Sequence, residues 1–92
     1  MEITDIKLRK LFNEGPLEAI YSITFDNQLA LHDVKLVKRE EGYMVVMPNR
    51  KLSSGLYKDI VHPINSAFRE KISEQIVNFH KNSLSEGEIM SK

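Results

Sequence analysis

Residues 17–25 constrain this chain more than any other stretch. Leu17, Ala19, Tyr21, Ile23 and Phe25 occupy one phase of a strict alternation, and Glu18, Ile20, Ser22, Thr24 and Asp26 occupy the other. Only an extended strand sends every second side chain to the same face, so this segment must be a strand with one face on a core. Its β-branched and aromatic content suits a pleated, half-buried surface. Near the other end the period changes. Ile64, Phe68, Ile72, Ile76 and Phe79 are spaced by four, four, four and three, which aligns them on one face of a helix. Strands first and a helix last make this an α+β chain.

The remaining strands follow from the same reasoning. Ile6 and Leu8 alternate with Lys7 and Arg9, giving a first strand from about Ile3 to Leu11. Asn13-Glu14-Gly15-Pro16 reads as a turn. Asp26-Asn27-Gln28 reads as a tight hairpin, since Asp and Asn tolerate left-handed backbone. Leu29 and Leu31 are out of phase with Val34 and Leu36, which calls for a bulge near His32-Asp33. After a turn at Glu40-Glu41-Gly42, the nearly all-apolar run from Tyr43 to Met47 predicts a short strand that is central or covered on both faces. Asn49 to Tyr57 has no periodicity and reads as an exposed loop or hairpin arm, and Ile60-Val61 as a last short strand. Pro63 stops it, and Asn65 or Ser66 caps the helix. The expected architecture is a small antiparallel sheet of about five strands with one C-terminal helix. It forms a single domain over residues 1–83, followed by a flexible polar tail over 84–92.

With 92 residues the core is thin, because a chain this short buries only about 60–65% of its unfolded surface. A thin core beneath a long sheet favours an oligomer, because a second copy can cover apolar surface that one copy cannot. There are no cysteines, which excludes disulfides, thiolate metal sites and a cysteine nucleophile, and fits the cytoplasm. No apolar run follows a basic start, so no signal peptide is expected. The longest apolar run, Met44 to Met47, is far too short to span a membrane. Zero net charge argues against coating nucleic acid by bulk charge and leaves a local basic patch open.

Catalytic chemistry finds little support. His32, His62 and His80 match no metal-ligand spacing, and the four glycines at 15, 42, 55 and 87 are scattered rather than gathered in a phosphate loop. Asp59 and His62 lie three apart in extended chain and point to opposite faces. His62, held extended before Pro63, reads as a side chain pinning the strand-to-helix corner by hydrogen bonds. His32 is structural at the bulge, and His80 sits near the helix end, where a cation is mildly favoured. We expect no enzyme, cofactor, metal or small-molecule substrate. Tyr43 and Tyr57 could stack bases, but packing with a hydroxyl at the rim suits their apolar neighbours better. Arg50, Lys51 and Lys58 flank a short Gly-containing loop with Asp59 as the sole acid between Asn49 and Ile64. Such a basic arm can read phosphates, because Lys and Arg release counterions from a nucleic-acid backbone. A solvated surface loop is the plainer alternative. Lys7-Arg9-Lys10 and Lys35-Lys38-Arg39 are two further basic groups on strands.

Several strings together resemble one family. They are Ile3 to Arg9, Ala19 to Asn27, His32 to Leu36, Met47-Pro48-Asn49-Arg50-Lys51 with Gly55, and above all Asp59-Ile60-Val61-His62-Pro63-Ile64-Asn65. The chain resembles the SpoVG family of bacteria, the stage V sporulation protein G or septation regulators, from residue 1 to about 80. The resemblance implies a small sheet with a C-terminal helix, dimerisation through strands and site-selective binding to DNA and also RNA. It implies a regulatory role in sporulation, cell division or virulence without catalysis or cofactor. It places nucleic-acid contacts on Arg50, Lys51 and Lys58; the residues themselves make Asp59, His62, Pro63 and Asn65 a structural corner that turns the last strand into the helix. Family members often have Pro-Asp-Gly or Pro-Glu-Gly after the basic pair; here Leu52-Ser53-Ser54-Gly55 stands instead, making the arm less rigid and locally more positive. The competing reading is a protein-interaction module that uses a sheet edge or the helix face.

Overall fold

The computed structural model describes residues 1–90, with side chains through residue 83. The expected tail over 84–92 lies outside the fully described residues. Strands β1 (Ile3–Leu11), β2 (Leu17–Phe25), β3 (Leu29–Arg39) and β4 (Gly42–Val46) form one antiparallel sheet in the order β1-β2-β3-β4. Strands β5 (Asn49–Lys51) and β6 (Tyr57–Asp59) form a separate two-stranded ribbon, and helix α1 (Ser66–Met90) follows. The α+β expectation therefore holds, with the strands divided four and two rather than gathered in one sheet of five.

The alternating run of β2 explains where the core sits. Ala19, Tyr21 and Ile23 are fully buried and Phe25 nearly so, against Val34 and Leu36 of β3 and Ile72 and Ile76 of α1. The β2–β3 hairpin closes through Asp26 and Asn27, both at positive φ, with Gln28 N–H donating to the Phe25 carbonyl at 2.9 Å. Two consecutive positive φ values are what a type I′ turn requires. The phase change in β3 is a bulge: Tyr21 faces Val34 while Ile23 faces Leu31, so β3 carries an extra residue, and Asp33 takes φ 60°. His32 secures it by sharing a 2.8 Å hydrogen bond with the Ser22 hydroxyl.

Four expectations need correction. β4 is an edge strand: Tyr43 and Val45 pack on the core, but Met44 is more than a third exposed. Its apolar run reflects side chains on both faces without a strand beyond it. Ile60 and Val61 are not a strand, because antiparallel pairing with β5 selects Tyr57–Asp59 as its partner. Ile64 does not join the helical stripe. Asn65 Oδ1 accepts the Phe68 N–H at 2.7 Å, so the helix starts after the cap and Ile64 stays 90% exposed. His80, expected near the helix end where a cation is mildly favoured, lies inside a helix that continues to Met90 and is buried to 1% exposure.

Candidate nucleic-acid interface

The ribbon is anchored at its root and free at its tip. Met47 is buried in the core, and the Pro48 carbonyl accepts the Ile60 N–H at 2.8 Å. Asn49 Nδ2 donates to the Met47 carbonyl at 3.0 Å. At the tip Leu52 N–H donates to the Leu56 carbonyl at 2.7 Å and Gly55 N–H to the Leu52 carbonyl at 2.9 Å. Gly55 has φ 91°, the left-handed position that closes a three-residue hairpin loop. Two hydrogen bonds and one glycine thus order the Leu52-Ser53-Ser54-Gly55 tip without a proline.

Register decides how the basic residues meet. Arg50 is directly opposite Lys58, Lys51 is opposite Tyr57, and Asn49 is opposite Asp59. Cross-strand partners share a face and successive residues alternate. Arg50 and Lys58 therefore stand together on one face of the ribbon, and Lys51 stands on the other with Tyr57. The three cations are all exposed. Among the described residues none of them forms a salt bridge with a carboxylate. Like charges directly opposite are mildly repulsive, so the Arg50–Lys58 pair is a place where an anion is favoured. Tyr57, expected to pack at a rim, is 69% exposed on the ribbon, because its strand leaves the core behind.

The corner between ribbon and helix is held by Asn65 and Pro63. Besides capping Phe68, Asn65 accepts the Arg69 N–H through its carbonyl at 3.2 Å, and the Pro63 carbonyl accepts from Arg69 Nη2 at 3.4 Å. Asp59 is exposed at the last rung of the ribbon. Among the described residues His62 makes no hydrogen bond; with Pro63 it borders an apolar pocket of about 160 Å³ beside Phe25, Leu29 and Phe68. The expected hydrogen-bonded pin is thus a packing contact.

Sequence reasoning missed one buried cluster. The Tyr21 hydroxyl lies 2.6 Å from His80 Nδ1, and His80 Nε2 lies 3.1 Å from Glu18 Oε2. A protonated Tyr21 donating to Nδ1 leaves the Nε2 hydrogen to donate to Glu18, which satisfies all three groups. Burial, then the charge of Glu18 and then Tyr43, push the Tyr21 hydroxyl up to about 12. The ring of Tyr43 meets His80 edge-on at 5.4 Å. The signal was present: His80 continues the Ile72, Ile76 spacing by four, so it belongs to the buried stripe.

The SpoVG family model matches residues 1–82. Relatives that carry the name "Putative septation protein SpoVG" are similar over most of the chain. That of Clostridium acetobutylicum is 48% identical over 77 residues, covering 84% of this chain and 81% of the relative. That of Agathobacter rectalis is 45% identical over 84 residues, covering 91% and 97%. That of Caldicellulosiruptor saccharolyticus is 40% identical over 88 residues, covering 96% of this chain and all of the relative.

Proposed function

The chain belongs to the SpoVG family, and from that premise we propose that it is a regulator of septation and sporulation that works in the cytoplasm by binding DNA and RNA, without catalysis. The binding element is the β5–β6 ribbon. The observation that carries this reading is the Arg50–Lys58 pair, in register, exposed and without a carboxylate partner among the described residues. A phosphate between the two guanidinium and ammonium groups relieves their repulsion and releases counterions. Arg50, with its planar fork, suits the edge of a guanine; Lys58 and Lys51 suit phosphates. Tyr57 beside Lys51 adds an exposed ring on which an unpaired base can stack.

The acting species is a homodimer. Support comes from β4, a short apolar edge strand with an open backbone edge of the kind that pairs with another chain. The exposed Leu56, Ile60 and Ile64 are further apolar surface that a second copy covers. Those same side chains favour the second reading, a protein-interaction module whose partner is another regulator.

The test is a titration of duplex DNA at several salt concentrations. Two ribbons with three cations each correspond to a log–log salt slope of about −5. Replacing Arg50 and Lys58 by Ala removes the facing pair. Binding should weaken strongly, and the slope should fall by about 0.9 for each lost phosphate contact. Wild-type affinity and slope in that variant would remove the ribbon from the mechanism, and absence of binding even at low salt would leave the protein-partner reading.

A further inference from the structure

The sheet has a second face, and helix α1 does not cover it. Ala19, Tyr21, Ile23 and Phe25 point to the helix; Ile20, Ser22 and Thr24 point the opposite way. Cross-strand pairing extends these into rows. Lys10, Ile20, Lys35 and Val46 make one row across all four strands. Lys7 faces Ser22 in the next, and Asp5 faces Thr24 beyond it. Arg9 belongs to the same surface, because its Nε donates to the Ser22 hydroxyl at 2.9 Å, and His32 shares that hydroxyl from the other side. Ser22 is consequently only 6% exposed, although no helix lies over it.

We propose that this uncovered face is a second phosphate-binding surface, and that its occupant is the backbone of duplex DNA. Charge complementarity carries the inference. Lys7, Arg9, Lys10 and Lys35 present cations on the face, against Asp5 in its rows and Asp33 on the bulge. The only salt bridges among the described residues are Lys71–Glu2 and His80–Glu18, which leave these four groups unneutralised. The Ser22 hydroxyl fixes the Arg9 guanidinium by Nε, so its terminal N–H groups are held in place for an oxygen acceptor. Lys10 and Lys35 flank β2, two strand spacings or roughly 10 Å apart, a gap that lysine stems close easily.

Duplex fits better than a single strand. The rows contain no Phe, Tyr or Trp for base stacking; the imidazole of His32 beside them is tied to the Ser22 hydroxyl, and Phe12 at the margin is already covered by the Lys10 ammonium 5.0 Å from its ring centre. A single strand would gain only charge contacts here, and a duplex offers phosphates at twice the density along its axis. The row with Lys10 and Lys35 ends at Val46, the last residue of β4 before the chain enters the ribbon. One duplex can therefore touch both. The inference rests on the nucleic-acid reading above but on different residues.

The experiment replaces Lys7, Lys10 and Lys35 by Gln in the full chain, leaving Arg9 and its hydrogen bond in place. Anisotropy titrations use a 30-base-pair duplex and the corresponding single strand across salt concentrations (about 30 pairs leaves room for both surfaces). Wild type should show a duplex slope steeper than the about −5 of the ribbons alone, and the triple variant should lose about 0.9 per lysine, up to about 2.7 per protomer. An unchanged duplex slope overturns the inference; so does a loss seen only on the single strand. A changed sedimentation mass with unchanged DNA binding assigns the face to another copy of the chain and also overturns it. The Arg50→Ala, Lys58→Ala variant, run alongside, separates the two readings, because a loss there with none in the triple leaves the ribbon standing and the sheet face refuted.

Discussion

The sheet–helix body and the β5–β6 ribbon are built on opposite terms. In the body, Ala19, Tyr21, Ile23, Val34, Leu36 and Ile76 have no exposed surface at all. In the ribbon every residue from Ser53 to Ile60 is exposed, and the pairing strands are three residues long. A two-stranded ribbon with so little packed surface is marginal by itself. It persists because its root is tied to the body through Pro48 and the buried Met47. The body's side chains are selected for each other; those of the ribbon, Arg50 facing Lys58 in particular, are not. Residues that do not serve their own element's stability are the natural candidates for serving something outside it.

The comparison makes its largest claim about the body. Ile76→Ala removes a fully buried side chain between α1 and the sheet and should cost about 2–5 kcal/mol. In a domain whose whole stability is about 5–15 kcal/mol, urea denaturation will show a large fall in midpoint. A midpoint close to wild type would mean that α1 is not the lid of the core.

A second prediction concerns the Glu18–His80–Tyr21 cluster. The Tyr21 hydroxyl has its folded value raised to about 12 from an ordinary 10. A raised value means the folded state binds this proton more tightly than the unfolded state. The corresponding stability is fully present below pH 10 and is lost as pH climbs toward about 12. Wild type should therefore lose stability over that alkaline window. Tyr21→Phe, already without the bond to His80, should start less stable and lose less over the same window. Parallel alkaline profiles for the two proteins would contradict this.

The body was also the part most legible in sequence. Alternation fixed β2, the phase jump between Leu31 and Val34 located the bulge, and Asn65 was read as one of two possible caps. These are local signals with local causes. What escaped depended on partners distant in sequence. His80 is buried because Tyr21 and Glu18, 59 and 62 residues away, satisfy its ring nitrogens. β4 lies at an edge because nothing among the described residues pairs beyond it, which its own apolar residues could not reveal. In the candidate interface, the basic trio was visible, but its division was not. Whether Arg50 shares a face with Lys51 or Lys58 depends on a register set by the turn at Leu52–Leu56.

That turn supplies a smaller prediction. Gly55 sits at φ 91°, and a methyl group added there meets no heavy atom within 4 Å. Gly55→Ala therefore costs backbone strain alone, about 1 kcal/mol. The loss should fall on the ribbon: faster amide exchange at Leu52 and Gly55, with the protection of β2 and α1 unchanged. Equal loss of protection in the body would show that ribbon and body unfold as one unit.

The smallest effect on stability is the most discriminating, because its sign is opposite to its effect on binding. Lys58→Glu puts a carboxylate directly across from Arg50. A facing pair of opposite charges is worth roughly 0.2–1 kcal/mol in a sheet, whereas the present like-charged pair is mildly unfavourable. Both groups are solvent-exposed, so the gain belongs at the lower end of that range and should shrink as salt screens it. The variant should thus hold its ribbon slightly more firmly, seen as slower amide exchange there at low salt. Its affinity for duplex DNA should collapse, since a carboxylate now occupies the place argued for a phosphate and Arg50 is engaged. If the ribbon were only a solvated loop, the same substitution would firm it without touching DNA binding. Firmer ribbon and lost binding together are what a pair kept unfavourable for the sake of an anionic ligand predicts.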